Sequence, residues 1–129
     1  MNLNGKRVFL SGPMTGYPHY NVAEFATAHA IVKAQGATAI YDPAQQWLNE
    51  HAEIAKEKTH ADYMLDCIHE LTRRDYRGKP YYDMLVSIGD WHMSDGATQE
   101  RQVAVSCGIQ CCNLGDIASS DPAHAGGAS

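Results

Sequence analysis

Short β-prone runs and helical apolar patterns alternate along this chain, and this alternation limits its possible folds more than any other feature. The β-prone runs occupy residues 7–11, 38–41, 84–88 and 109–113. Between them, apolar residues recur at the spacing of a helix that packs against a sheet; they are Phe25, Ala28 and Val32 in one stretch and Met64, Cys67, Ile68 and Leu71 in another. Strands that alternate with helices usually pair in parallel. The sequence therefore predicts an α/β fold with a doubly wound parallel sheet of about four to five strands.

One domain accounts for the length, because 129 residues lie within the ordinary range for a single domain. We predict one folded domain over residues 1–117. From Ala118 onward the sequence is mainly Ser, Ala, Gly and Asp without large apolar side chains, so residues 118–129 are predicted to form a disordered tail. Residues 45–59 are polar and helix-prone without a clear apolar stripe, and we expect a loosely packed helix or a lid there.

Composition argues against several kinds of ligand and location. No apolar run approaches the roughly 18 residues of a membrane span, and the first residues do not resemble a signal peptide, so we expect no membrane association and a cytoplasmic location. A formal net charge of −5 argues against a nucleic-acid polymer as partner. The histidines are scattered without a metal-binding motif, and the cysteines, which lack CxxC spacing, are expected to be reduced. We predict no metal and no cofactor, and a small molecule as the ligand.

Parallel sheets bind ligands beyond the carboxyl ends of their strands, which directs attention to the loops after the first and third strands. The first loop can turn backbone N–H groups and two hydroxyls toward a phosphate or a sugar hydroxyl. Its candidate binding residues are Ser11, Gly12, Pro13, Met14, Thr15, Gly16 and Tyr17. The loop has neither a Walker ending nor GxGxxG spacing. Trp91 in the second loop could stack on a base, as could Tyr17 and Tyr20, although packing explains these aromatics almost as well.

Glu100 lies on the apolar stripe of a helix predicted over residues 96–107, together with Ala97 and Ala104. A carboxylate is costly to bury without partners, so an inward position near the start of the helix suggests catalytic use of an anion that the helix field stabilises. The alternative is a partly exposed acid that the helix dipole alone favours. Ser94 is either the N-cap of this helix or, beside free helix N–H groups, a phosphate ligand.

Asp75 extends the helical stripe of Ile68 and Leu71 by four more residues, and we expect it to face inward as well. The alternative is a frayed helix end, since two arginines directly precede it. Asp83 opens the third strand and is assigned a turn or register role.

Several of these pieces form one ordered set of motifs. They are Val8–Gly16 (VFLSGPMTG), Tyr20-Asn21, Asp42-Pro43, Arg74-Asp75, Asp83, Trp91 and Ser94-x-Gly96-Ala97-x-x-Glu100. Together they resemble the nucleoside 2-deoxyribosyltransferase-like superfamily, and most closely its small, often phage-encoded branch, which is related to nucleoside 5′-monophosphate N-glycosidases. The resemblance extends roughly from Lys6 to Leu114, and the ordered set is far more specific than any one motif.

The resemblance implies a flavodoxin-like or Rossmann-like sheet, a homodimer or higher homo-oligomer, and cleavage of the N-glycosidic bond of a nucleoside or nucleoside 5′-monophosphate. Transfer of the sugar to water or to a second base stays open. Glu100 matches the nucleophile of the family, and Asp75 matches an aspartate that handles the base or sugar during proton transfer. Ser94 matches a serine near the 5′-phosphate of the nucleotide hydrolases, which favours a monophosphate, and we place Ser94 and Gly96 among the substrate-binding residues.

Two departures from the family pattern matter. Phe9 stands where many relatives have a tyrosine hydroxyl near the nucleophile, so Tyr17 or Tyr20 would have to replace it. Residues 78–82 replace an apolar helical turn, which could move Asp75. The alternative function is a nucleotide-binding or sensing protein without catalysis on the same fold; a purely structural protein is the least favoured.

Overall fold

The computed structural model describes residues 2–14, 17–45 and 59–118. Its strands are β1 (Arg7–Ser11), β2 (Ala39–Tyr41), β3 (Met84–Ser87) and β4 (Gln110–Asn113). Its helices are α1 (Val22–Ala34), α2 (His60–Leu71), α3 (Asp95–Ser106) and the short α4 (Leu114–Ala118). Short 3₁₀ helices over Pro18–Asn21 and Trp91–Met93 follow β1 and β3.

The strands form one four-stranded, all-parallel sheet in the order β2-β1-β3-β4. The predicted α/β fold with a doubly wound parallel sheet is therefore confirmed, and each strand lies within one residue of its predicted bounds at either end. Helices α1 and α4 pack on one face of the sheet, and α2 and α3 pack on the other.

Each face of the sheet carries its own hydrophobic core, because successive side chains of a strand point to opposite faces. Val8 and Leu10 of β1 pack with Val86 of β3 in the core beneath α1. Phe9 and Leu85, which alternate with them, pack in the core beneath α2 and α3. The predicted apolar stripe of α1 is buried in the first of these cores.

Asn21 links the start of α1 to the loop after β1. It occupies the N-cap position of α1, but its side chain makes no capping hydrogen bond. Its Nδ2 instead donates to the carbonyl oxygen of Pro13 at 2.9 Å and ties the loop after β1 to the helix. Tyr20 and Asn21 have φ angles of 53° and 66°, in the left-handed region that residues other than glycine seldom adopt.

Asp83 fixes the alignment of β1 with β3, which confirms its predicted register role. Its carboxylate accepts the backbone N–H of Arg7 at 2.8 Å, and its own N–H donates to the carbonyl oxygen of Arg7 at 2.8 Å. The Arg7 guanidinium lies 3.5 Å from the same carboxylate, measured from Nε to Oδ2. The strands then pair from Val8 and Met84 onward.

Two sequence predictions fall largely outside the described residues. The helix or lid expected over residues 45–59 is described only at its two ends, and the tail expected over residues 118–129 is described only at Ala118. Among the described ranges, no helix is both long enough and apolar enough to cross a membrane.

Gly12 allows the loop after β1 to lie against the residue that follows β3. A Cβ atom at position 12 would lie 2.4 Å from Cγ1 of Ile88 and 3.2 Å from its carbonyl oxygen. We expect Gly12→Ala to lower the free energy of unfolding by about 1–3 kcal/mol, the usual cost of overpacking a close contact. Urea denaturation measures this change.

Gly115→Ala is the matched control, because a Cβ atom there meets no atom within 4 Å and the position lies in α4. It should be neutral or stabilise the protein by up to about 1 kcal/mol. Equal unfolding midpoints for Gly12→Ala and the wild type would contradict the close approach of the loop to Ile88.

Candidate functional site

A pocket of about 300 Å³ opens beyond the carboxyl ends of β1 and β3. Strand β2 lies on one side of β1, and β3 lies on the other. The chain connections that leave β1 and β3 therefore diverge at the pocket, which is the usual ligand site of open parallel sheets. The lining residues come from three segments: Gly12, Pro13, Met14, Tyr17 and Tyr20 after β1; His60 and Tyr63 in α2; and Asp90, Met93, Ser94, Asp95, Gly96, Ala97 and Glu100 after β3.

Glu100 forms the floor of this pocket and is only 6% exposed, in agreement with its predicted position on the inward stripe of α3. Its Oε1 accepts a hydrogen bond of 2.6 Å from the hydroxyl of Ser11, the last residue of β1. The Cys67 thiol of α2 also interacts with the same carboxyl group and favours its ionised form. A strand and two helices therefore meet at this side chain.

Burial raises the pKa of Glu100 from its ordinary value of 4.5 to about 7, and the hydrogen bond from Ser11 and the neighbouring Cys67 thiol oppose the rise. Glu100 is the sixth residue of α3, beyond the first turn in which the helix dipole acts most strongly, and stabilisation of its anion by the helix field stays a prediction. Near neutral pH both the carboxylate and the carboxylic acid are populated.

Cys67 and Tyr41 form a second polar layer behind Glu100 that the sequence interpretation missed. Cys67 is 5% exposed and lies beside both Glu100 and Tyr41. Burial raises the pKa of the Cys67 thiol and of the Tyr41 hydroxyl far above their usual ranges, so both remain protonated. Cys67 was interpreted as an apolar filler, and its place on the inward stripe of α2 was the available signal for a contact with another inward side chain.

Phe9 lies in the core beneath α2 and α3, where it is fully buried. Its ring stacks on Tyr41 with centroids 5.0 Å apart and meets Tyr82 edge-on at 5.5 Å. The hydroxyl that reaches Glu100 from β1 belongs to Ser11, two residues farther along the strand. Sequence reasoning named Tyr17 and Tyr20 as replacements for the missing tyrosine and overlooked this serine as one.

The predicted binding loop after β1 contributes to the pocket over all of its described residues. Ser11 binds Glu100, and Gly12, Pro13, Met14 and Tyr17 line the cavity. The predicted binding residues Thr15 and Gly16 lie outside the described part of the chain.

Ser94 caps α3, which confirms its predicted N-cap role, because its Oγ accepts the N–H of Ala97 at 3.2 Å. Gly96 lets α2 approach the first turn of α3 closely. A Cβ atom at position 96 would lie 3.0 Å from Sδ of Met64 and 3.5 Å from Cε1 of His60. Both predicted binding residues, Ser94 and Gly96, line the pocket.

The prediction that Asp75 faces inward on the stripe of α2 is wrong. The helix ends at Leu71, and Asp75 lies in the following turn, where its Oδ1 accepts the backbone N–H groups of Arg77 and Lys79. Its Oδ2 lies 3.8 Å from Nη2 of Arg7. Backbone hydrogen bonds of a turn, rather than a catalytic pocket, surround this carboxylate.

Chain topology explains why Asp75 does not join Glu100. Asp75 lies beside Arg7, which begins β1, whereas Glu100 is bound by Ser11, which ends it. The two acids therefore lie at opposite ends of the strand, about 13 Å apart along it. Helices of a doubly wound sheet run antiparallel to its strands, so a residue between a helix and the next strand lies at the amino edge. Within one chain, Asp75 cannot serve the Glu100 pocket in proton transfer.

Trp91 does not line the Glu100 pocket, contrary to its prediction as a substrate-binding residue. Its ring lines a separate groove together with Arg101, whose guanidinium carbon lies 4.4 Å from the ring centroid. A cation–π contact of this kind holds the indole against the outer side of α3. The aromatic wall of the pocket comes instead from Tyr20 and Tyr63, whose ring centroids are 5.3 Å apart.

The described lining of the pocket is acidic. Asp90, Asp95 and Glu100 are carboxylates, and His60 is the one basic side chain among the described lining residues. Like charges repel, so this lining disfavours a doubly charged phosphate and favours groups that donate hydrogen bonds. Across residues 2–14, 17–45 and 59–118, no group of three or more His, Cys, Asp or Glu side chains is placed to hold a metal ion.

The raised pKa of Glu100 predicts a loss of stability as the pH rises. At a pH below 4.5 the group is protonated in both the folded and unfolded states, whereas above about 7 the folded protein must bury its charge. The stability present at low pH is therefore lost across the interval from 4.5 to about 7, by about 3 kcal/mol in total. We expect Glu100→Gln to remove most of this loss, measured as the difference in unfolding free energy between pH 5 and pH 8.

Glu24→Gln is the matched control, since Glu24 is also a glutamate near the start of a helix but is only half buried. This control should keep the pH dependence of the wild type. A Glu100→Gln variant with the same pH dependence as the wild type would contradict a buried, uncompensated charge at this position.

A family match spans the residues that form nearly all of the described strands, helices and pocket loops of this chain. Residues 6–113 match the model of DUF4406, a family described as a domain of unknown function. No curated protein and no solved structure matches the chain. Because the match covers most of the sequence, including Glu100 and both pocket loops, this chain belongs to the DUF4406 family.

Proposed function

We propose that this protein cleaves the N-glycosidic bond of a nucleoside or nucleoside 5′-monophosphate with Glu100 as the nucleophile. The supporting observation is the buried carboxyl group on the pocket floor, held by Ser11 at 2.6 Å and with a pKa raised to about 7. Acids with a strongly shifted pKa inside a pocket are candidates for catalysis. The reaction class comes from the motifs that resemble the nucleoside 2-deoxyribosyltransferase-like superfamily.

Glu100 suits covalent catalysis at the anomeric carbon of a sugar. Its ionised carboxylate attacks that carbon, the carbon–nitrogen bond breaks, and the bonding pair leaves with the base while a glycosyl ester forms. The hydrogen bond from Ser11 to Oε1 restricts rotation of the carboxylate in the pocket. Water or a second base then attacks the anomeric carbon of the ester and releases the carboxylate.

The pocket walls suit a nucleoside. A volume of about 300 Å³ lies at the lower end of the range for small-ligand pockets. Tyr20 and Tyr63 offer ring surface to a planar base, and Asp90 and Asp95 can accept hydrogen bonds from sugar hydroxyls. The acidic lining makes a neutral nucleoside a better fit than the monophosphate that Ser94 by itself favours.

A nucleotide-binding or sensing protein without catalysis is the second candidate. Phe9 favours it, because this buried ring supplies no hydroxyl near the nucleophile. The Ser11 hydroxyl supplies a hydrogen bond to Glu100 in its place, which favours the enzyme.

We extend the proposal to the setting of the protein. Its four cysteines, Cys67, Cys107, Cys111 and Cys112, are all free thiols, as in proteins of reducing compartments, and we propose a cytoplasmic location. We also propose the homodimer or higher homo-oligomer that the family resemblance implies, which sedimentation velocity tests directly.

We expect the wild type to release free base from at least one member of a panel of ribo- and deoxyribonucleosides and their 5′-monophosphates, detected by chromatography. Glu100→Gln should lower the release rate at least about 10³-fold, because it removes the nucleophile. Intact-mass measurement after a rapid quench should show a glycosyl adduct on the wild type and none on the variant.

Glu24→Gln, with its carboxylate outside the pocket lining, is the matched control and should release base at the wild-type rate. If the wild type releases no base while one panel member raises its melting temperature, the binding protein replaces the enzyme. Equal release by the wild type and Glu100→Gln would remove Glu100 from the mechanism.

The rate of base release should fall as the pH drops below about 7, because the nucleophile must be ionised. Ser11→Ala removes a hydrogen bond that lowers the pKa of Glu100, so the acid limb of kcat/KM against pH should move to higher pH. An unchanged or lowered limb in Ser11→Ala would show that this hydrogen bond does not favour the carboxylate.

A further inference from the structure

The proposed reaction leaves one chemical role without a residue. A nucleobase that departs with the bonding electron pair is a poor leaving group unless a proton reaches it in the transition state. Asp75, the residue that the sequence pointed to, lies at the opposite edge of the sheet. Within one chain, the candidates for the proton donor are therefore the groups that line the Glu100 pocket.

His60 is held against the helix that carries Glu100. It is the first residue of α2, whose start is fixed by reciprocal hydrogen bonds between Thr59 and Asp62. Its Cε1 lies 3.5 Å from the place where a side chain at position 96 would begin, and it lines the pocket. Gly96 precedes Glu100 by four residues, about one helical turn or roughly 6 Å along the α3 axis, so His60 lies over the turn of α3 that precedes the nucleophile.

The other titratable groups of the pocket suit this role less well. Asp90 and Asp95 are exposed at its rim, as is His60, so exposure does not separate these groups. Aspartates as a class, however, are already ionised at neutral pH. Tyrosine hydroxyls, such as that of Tyr63, are as a class too weakly acidic to give up a proton readily. Histidine is the side chain that as a class gains and loses protons between pH 5 and 8.

We propose that His60 is the general acid of the Glu100 pocket and protonates the departing base; this role rests on the proposed function. As Glu100 attacks the anomeric carbon, the pair of the broken carbon–nitrogen bond takes the ring proton of His60. In hydrolysis, the neutral imidazole then accepts a proton from the water that attacks the ester. The sugar leaves with a hydroxyl group, and both side chains return to their starting states.

Two leaving groups test this role. The first substrate is the panel nucleoside that the wild type cleaves fastest, and the second is the p-nitrophenyl β-glycoside of the same sugar, whose leaving group needs no proton. His60→Asn should lower base release from the nucleoside by about 10²–10⁴-fold. It should leave the pre-steady-state burst of nitrophenolate close to the wild-type rate, because this first step needs no acid, whereas steady-state turnover falls when hydrolysis of the ester loses its base.

His69→Asn is the matched control, because His69 lies on the exposed side of the same helix and outside the pocket lining, and both of its rates should stay at the wild-type level. Equal losses on both substrates in His60→Asn, at an unchanged melting temperature, would reduce His60 to a binding or positioning residue. Undiminished base release would place the acid elsewhere.

Glu100→Gln separates failure of this inference from failure of the proposed function. It should cleave neither substrate. Nitrophenolate release by Glu100→Gln at the wild-type rate, or a wild type that cleaves neither substrate, would overturn the proposed function and the role of His60 with it. If Glu100→Gln cleaves neither substrate but His60→Asn does not slow base release selectively, only the role of His60 is overturned.

Discussion

The hydrogen bond between Ser11 and Glu100 is the interaction on which the candidate site depends. A buried carboxyl group without partners is costly, and this bond joins the end of β1 to the inward face of α3. Its geometry follows from the register of the sheet, because the two-way link between Arg7 and Asp83 at the other end of β1 places Ser11 opposite Ser87 at the end of β3. The alignment of two strands thus determines where the nucleophile candidate can lie.

Two residues at the mouth of the pocket have backbone conformations that cost free energy. Tyr20 and Asn21 both adopt left-handed backbone conformations, which cost on the order of 1–3 kcal/mol each for residues other than glycine. The buried amide of Asn21 offsets part of this cost by binding the carbonyl oxygen of Pro13. This arrangement brings the Tyr20 ring to the wall of the pocket beside Tyr63, so the strain lies where a ligand would be bound rather than in the core.

Sequence periodicity predicted the sheet, its strands and the inward position of Glu100, because each depends on local alternation or helical spacing. It failed for Asp75 because a helical spacing continues in the sequence after the helix itself has ended at Leu71. Trp91 was named from its place in the loop after β3, and loop position alone did not reveal that its ring contacts Arg101 of α3. The topology of the fold would have placed Asp75 correctly, since a residue between a helix and the next strand of a parallel sheet lies at the amino ends of the strands.

The stripe of α2 shows why core and site residues cannot be separated by periodicity alone. Leu71 at one end of the stripe is buried in the core, Cys67 contacts Glu100, and Met64 and His60 lie over Gly96 at the pocket. A helix of twelve residues is about 18 Å long, whereas a four-residue strand spans about 13 Å. The start of α2 lies beyond the carboxyl ends of the strands, because His60 and Tyr63 line the pocket there. The same helical face therefore packs on the sheet at its end and lines the pocket at its start, where an imidazole can face a ligand.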